Sequence, residues 1–307
     1  MNKFLKSIFI FMPLALLFYV AMICLWGEII PPSMNKNLDY IVAQHGHSFT
    51  RLKEAKKIKN VDILFIGSSH AYRGFDVRIF RKAGYSCFNL GTSSQTPLQT
   101  EILLKRYLKS MHPKLIIYEV FPSTFCVDGI ESSIDLISND KNDKLSFDLL
   151  LEQKHIAVFN TLIYGYYSDF FNRNSNVTEP KIKVKDTYIA GGYTEHKMEY
   201  GTNIKYNTSK WKPNTSQYKA FLRIIRYINS NGFNKILVQA PYPKSLYQST
   251  NNNDYFDKKM NQLGLYYNFN ESLKLNDSLH FYDSNHLNQN GVIIFNDEMI
   301  KILPKIN

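Results

Sequence analysis

Two short stretches of this chain hold side chains suited to acyl transfer. Val61 to Gly74 reads VDILFIGSSHAYRG, an apolar run that meets Gly67, two serines and a histidine at once. Near the other end, Asp283-Ser284-Asn285-His286 stands just before an apolar, helix-like segment. A serine hydroxyl becomes a strong nucleophile when a base takes its proton, and the base needs an acceptor that fixes its ring. Ser69, His286 and Asp283 have the right types for those three roles. A three-residue spacing in a turn or an opening helix brings Asp283 and His286 to the same side. Backbone N–H groups at a helix start can hold an oxyanion beside Ser69. The Gly91 N–H, at the end of the next apolar run, is the second such donor. Each stretch by itself also reads as ordinary capping, with Ser69 an N-cap and Asp283 closing a loop. Their combination favours the chemical reading.

Three further residues belong to a candidate substrate pocket. His70 adjoins Ser69, Arg73 could meet a carboxylate or a sugar acid, and Glu119 stands at a strand end. Structural use of His70 and solvent exposure of Arg73 are the plain alternatives. A metal-dependent phosphoesterase would need converging carboxylates and histidines, and few histidines fall near strand ends. No Cys/His cluster has zinc spacing, so neither metal nor organic cofactor is expected. The three cysteines, Cys24, Cys87 and Cys126, are read as unpaired.

The elements that must position these residues have a βαβ order. VDILFI, YSCFNL, KLIIYEVF and KILVQA read as strands by run length and branching. DVRIFRKAG, PLQTEILLKRYLKSMHP, SQYKAFLRIIRYINSNG (Ser216 as N-cap, Gly232 as stop) and the terminal GVIIFNDEMIKIL read as helices. This predicts an α/β fold with a parallel sheet covered by helices on both faces. In such sheets, ligand-binding residues gather at the carboxyl ends of strands, where Ser69 falls. Residues 124–212 interrupt the alternation and read as an insertion of one or two helices and a long loop, a candidate lid. The aromatics at 164–171 are assigned to packing of that insertion.

The N-terminus has a different character. From Ser7 to Gly27 no residue is charged, enough to cross a hydrocarbon core of ~30 Å. Lys3 and Lys6 precede it, which predicts a cytoplasmic amino end. No A-x-A site comes after it, so an uncleaved anchor is preferred to a signal peptide. The domain expectation is an anchor at 1–35 and one extracytoplasmic domain at 36–307. A net charge of +11 from 37 basic and 26 acidic residues is scattered rather than interleaved with aromatics. That argues against nucleic acid as a partner and favours an anionic surface or polymer.

Taken together, the motifs resemble the SGNH/GDSL hydrolase superfamily, a three-layer α/β/α, flavodoxin-like fold used by esterases, lipases and acetyl-transfer enzymes. The resemblance covers roughly 60–120 and 215–303. Gly67-Ser68-Ser69 is similar to the family's nucleophile block, with serine in place of aspartate at position 68. Gly91 is similar to its oxyanion glycine, and Asp283 and His286 to its acid and base. The family's further oxyanion asparagine is missing, because the third strand runs into Glu119-Val120-Phe121-Pro122-Ser123. Asn89 or Ser94 is the candidate replacement. The anchor adds a resemblance to the alginate acetylation proteins and the D-alanyl transfer protein of teichoic acid synthesis. These likenesses imply an esterase or O-acyl(acetyl)transferase acting on a cell-envelope or exported polysaccharide or another acylated molecule, beside a membrane-bound O-acyltransferase. The alternative is a catalytically weak or inactive protein that binds polymer or scaffolds such a partner.

Overall fold

The computed structural model describes residues 2–31, 34–201 and 204–304. The chain divides into two compact units, one of residues 1–42 with 133–177 and one of 43–132 with 178–307.

Among the described residues, the larger unit contains eight strands: β1 (Ile63–Ile66), β2 (Cys87–Asn89), β3 (Leu115–Glu119), β4 (Ile182–Lys183), β5 (Asp186–Ile189), β6 (Tyr193–His196), β7 (Asn234–Gln239) and β8 (Tyr266–Asn268). Five form a parallel sheet in the order β2-β1-β3-β7-β8. Strands covered on both faces should be continuously apolar, and β1 (ILFI) and β3 (LIIYE) are buried along their whole length. Alternate residues serve opposite faces. Ile63, Phe65, Ile117, Ile236 and Val238 share a core with Phe80 of helix Val77–Lys82 and with Phe295 and Met299 of helix Gln289–Lys301. On the other face, Tyr118 meets Phe221 of helix Thr215–Ser230 edge-on, with ring centroids 5.5 Å apart. That helix packs against Pro97–Met111. The expected three-layer α/β/α arrangement is therefore present.

The turn after β1 depends on glycine. Gly67 has φ +142°, and a Cβ there would lie 2.8 Å from both the Cβ and the carbonyl oxygen of Glu119. Close approach of β1 and β3 at their carboxyl ends thus excludes any side chain at position 67.

Several expectations need correction. The sheet has five strands rather than four, because YYN at 266–268 adds β8 at an edge. The helix at 215–230 is capped by Asn214, whose Oδ1 accepts the Ser216 N–H at 2.9 Å, not by Ser216. The insertion is richer than one or two helices and a loop. It holds helices Ile130–Asn139, Lys144–Gln153 and Ile156–Phe170, then the antiparallel sheet β4-β5-β6. Nor is it one body, since residues 133–177 group with the N-terminal segment and residues 178–212 with the large sheet. In the larger unit, the second sheet is fixed from below by Arg51. This fully buried guanidinium donates to Gly192 O (2.8 Å) and Thr194 Oγ1 (2.9 Å) and lies over the Tyr72 ring.

The smaller unit is built on helix Asn2–Ile29, which is long and apolar enough for a membrane span or a signal sequence. It packs against helix Ile156–Phe170. Tyr164 reaches Glu28 at 2.9 Å and meets Tyr40 edge-on, so this aromatic takes part in packing as expected. Cys24, Cys87 and Cys126 are unpaired.

Candidate active site

Ser69 opens the six-residue helix Ser69–Gly74 directly after the Gly67 turn. Its position is dictated by the sequence: the apolar β1 must end where Gly67 turns the chain, and Ser68 caps the short helix beyond it. The first amides of a helix have no intrahelical acceptor, and the Ser69 N–H is one of them.

Asp283 and His286 arrive from a tight loop between Phe281 and Leu287, which bridge antiparallel. The loop is tied by Asp283 Oδ1, which accepts the N–H groups of Asn285 (2.9 Å) and His286 (2.8 Å). Asp283 Oδ2 is left for the ring of His286, 2.8 Å from Nδ1. The opposite nitrogen, Nε2, lies 2.8 Å from Ser69 Oγ. Burial works to raise the Asp283 pKa, but the hydrogen bond and charge of His286 and the two amides outweigh it and hold the carboxyl at about 2. Asp283 is therefore an anion at neutral pH, and its acceptor oxygen places the imidazole proton on Nδ1. Nε2 is then the ring nitrogen that faces the serine.

The His286 ring sits inside a column of rings. Tyr282 lies nearly parallel to it (5.7 Å, 8°), and His70 is tilted against it (4.9 Å, 30°). Phe121 stacks beyond His70 at 3.9 Å, and His196 beyond Tyr282 at 3.8 Å. Such packing leaves the base little room to rotate.

The structure places His70 and Glu119 beneath the site rather than on a pocket wall. His70 is buried, and its Nε2 donates to the carbonyl of Asn285 at 2.9 Å. It thereby holds the loop that carries His286. Its Nδ1 is 3.4 Å from Ser68 Oγ. Burial, then the nearby His286, pushes the His70 pKa well down, so the ring is neutral. Glu119, at the end of β3, is also buried. Its Oε2 accepts the Ser68 N–H at 3.3 Å and lies 3.1 Å from Ser68 Oγ. Its Oε1 is buried with no partner among the described residues. Burial raises the Glu119 pKa to about 8, against the opposing bonds from Ser68. A protonated carboxyl, a hydroxyl and a neutral imidazole thus form an uncharged support under the turn that carries Ser69.

Arg73 has a partner that the sequence did not suggest. Its guanidinium binds both oxygens of Asp186 (2.9 and 2.6 Å), and Asp186 Oδ1 is 2.7 Å from His196 Nδ1. Arg73 still lines a cavity of about 330 Å³ with Tyr72, Ser93, Lys185, Asp186 and His196. No spacing pattern could reveal Asp186 and His196, because both lie on the small antiparallel sheet in the stretch read as loop. Tyr282, the residue before Asp283, was within reach of a sequence argument.

The oxyanion donors are where expectation and structure part. The Gly91 N–H donates to Asn89 Oδ1 at 3.1 Å. Asn89 Nδ2 donates to Ala71 O (2.8 Å) and Phe75 O (3.4 Å), and the residue is fully buried. Asn89 therefore pins helix Ser69–Gly74 to β2, with its side-chain N–H groups committed internally. Ser94 turns its hydroxyl to Glu131 Oε1 at 3.3 Å. Of the expected donors, the Ser69 amide stays at the helix start, and Gly91 is tightly enclosed, since a Cβ there would lie 3.0 Å from Ser68 O and 3.1 Å from Gly67 O.

No protein-family model matches the chain, and no curated protein matches it. Among solved structures, the chain is similar to a protein from Bacteroides fragilis assigned as an acylhydrolase. Identity is 8% and the TM-score 0.41, over 81% of this chain and 92% of that one. It is also similar to a GDSL-like lipase from Bacteroides thetaiotaomicron, at 11% identity and TM-score 0.39, over 84% of this chain and 97% of the other.

Proposed function

We propose that this chain is a serine-dependent acyl-ester hydrolase or O-acyltransferase. The observation that carries this reading is the continuous contact from Asp283 Oδ2 through the His286 ring to Ser69 Oγ, with 2.8 Å at each step. His286 Nε2 removes the Ser69 proton as Oγ attacks the acyl carbon. The tetrahedral oxyanion forms beside the Ser69 N–H at the helix start. Collapse expels the alcohol, which takes the proton back from His286, and leaves an acyl-serine. Water attacking that ester, again with His286 as base, gives an esterase; a sugar hydroxyl in its place gives a transferase.

The acceptor in this reading is an exported or cell-envelope glycan. The N-terminal apolar helix and the +11 charge support a membrane-attached protein working on an anionic surface outside the cytoplasmic membrane. A membrane-bound O-acyltransferase is the partner that would supply activated acyl groups. One observation favours a second reading, a polymer-binding or scaffolding protein with little turnover: the Gly91 N–H and the Asn89 amide are both committed internally. Loss of one oxyanion donor costs about 3 kcal/mol in a protease.

The full chain in detergent, assayed for acetate release from p-nitrophenyl acetate, tests the catalytic reading. Activity that vanishes in Ser69→Ala supports it. Activity equal in the wild type and the variant, or absent from both, favours the second reading.

A further inference from the structure

We propose that Glu119 is a positioning residue for His286: the proton on its carboxyl sets the direction of a buried hydrogen-bond relay, through Ser68 and His70, that clamps the peptide from which His286 projects. This role rests on the acyl-transfer reading of the site.

The donors and acceptors fix that direction. His70 Nε2 lies 2.9 Å from Asn285 O. A carbonyl only accepts, so Nε2 carries the ring proton and Nδ1 of the neutral ring is an acceptor. The side chain facing Nδ1 is Ser68, with Oγ at 3.4 Å, so the Ser68 hydroxyl donates there. Ser68 Oγ already accepts the His70 N–H at 3.3 Å. Its second lone pair is left for Glu119 Oε2 at 3.1 Å, and Oε2 must supply the proton of that bond. All three residues are buried. Glu119 Oε1, with no partner among the described residues, is then the carbonyl oxygen of a neutral acid. Leaving it unpaired costs far less than stranding part of a carboxylate charge. Burial, which raises the Glu119 pKa to about 8, agrees with this arrangement.

The other end of the relay reaches the base. The Asn285 carbonyl and the His286 N–H belong to one peptide plane. His70 holds the oxygen of that plane, and Asp283 Oδ1 accepts its N–H at 2.8 Å. Phe121 stacks on His70 at 3.9 Å and keeps the ring in place. Loss of the Glu119 proton reverses the relay. The Ser68 hydroxyl turns to the carboxylate, and its lone pair draws the His70 proton to Nδ1. Nε2 and Asn285 O are then two acceptors face to face. One proton goes to solvent; Ser68 and His70 only redirect their own. The His286 peptide is left with one of its two clamps.

The titratable groups that bear on Glu119 are Tyr118, its neighbour on β3, and Tyr242, beyond β7. Burial raises both phenol pKa values, so both stay neutral while Glu119 titrates. His70 is faced by His286, Asp283 and Arg73, and burial and His286 keep its ring uncharged.

The test uses the full chain in detergent at pH 7 and pH 9. It reads kcat for acetate release from p-nitrophenyl acetate, less the rate without protein. Nitrogen NMR of chain carrying isotope-labelled histidine reads the His70 tautomer, with His70→Gln to assign the ring. The expected kcat is about tenfold lower at pH 9, following the fraction of Glu119 still protonated, with little change in KM. The His70 proton moves from Nε2 to Nδ1 over the same interval. Glu119→Gln, which cannot ionise, and Ser68→Ala, which cuts the relay, lose both effects; thermal unfolding verifies that each is folded. A wild-type kcat that holds from pH 7 to pH 9, or that falls equally in a folded variant, overturns the proposal. If the wild type releases no acetate, the catalytic reading fails and the ring alone decides. A proton that moves only when Glu119 and Ser68 are both present upholds the relay, and one that stays on Nε2 overturns it.

Discussion

Asp283 has both oxygens engaged, Oδ1 on two amides and Oδ2 on the His286 ring. Asp283→Asn keeps the shape but can donate to Nδ1, which moves the imidazole proton to the nitrogen facing Ser69. The expected result is a drop in kcat of roughly 10⁴-fold with little change in KM, read from ester hydrolysis. Glu119 makes a separate prediction, about pH. Its folded pKa of about 8 stands above the usual 4.5, so the folded state holds a proton that the unfolded chain releases. The stabilisation is complete below the ordinary carboxylate range and is lost as pH rises through about 8. Asp283 acts oppositely, its contribution being lost as pH falls toward 2. Tm measured from pH 5 to 9 should therefore decline toward the alkaline end, and Glu119→Gln should flatten that decline. Equal slopes in the two proteins would mean that Glu119 is ionised throughout.

At the scale of elements, the site depends on how closely strands and turns approach. Gly67→Ala would drive a methyl into Glu119 at a φ that favours glycine, so a stability loss of about 1–3 kcal/mol is expected by denaturant titration. Gly192 is tighter still, because its Cβ would sit 2.0 Å from Asn89 O. These contacts also explain what the sequence could and could not convey. The apolar runs of β1, β3 and β7 and the capped helices between them are strong signals. β4, β5 and β6 have two to four residues each and carry Lys, Asp, Thr, Glu and His, so nothing in their composition separates them from loop. β8 is equally short. Asp283 and His286 were legible because their spacing is local. The commitment of Asn89 and Gly91 was not, since which acceptor an amide finds depends on how the nucleophile helix docks on β2.

For the whole molecule, the N-terminal helix and residues 133–177 form one compact unit, tied through Tyr19, Glu28, Asn160 and Tyr164. The helix therefore takes part in tertiary packing with helix Ile156–Phe170. The larger unit carries the whole Ser69–His286–Asp283 contact on its parallel sheet and terminal loop. The central claim is that this contact makes Ser69 a nucleophile. A fluorophosphonate probe applied to the full chain in detergent, with peptide mass spectrometry to locate the adduct, tests it most directly. The account predicts one adduct, on Ser69, abolished by Ser69→Ala and slowed by His286→Ala. A folded chain that stays unlabelled, or that labels equally well in Ser69→Ala, would contradict it.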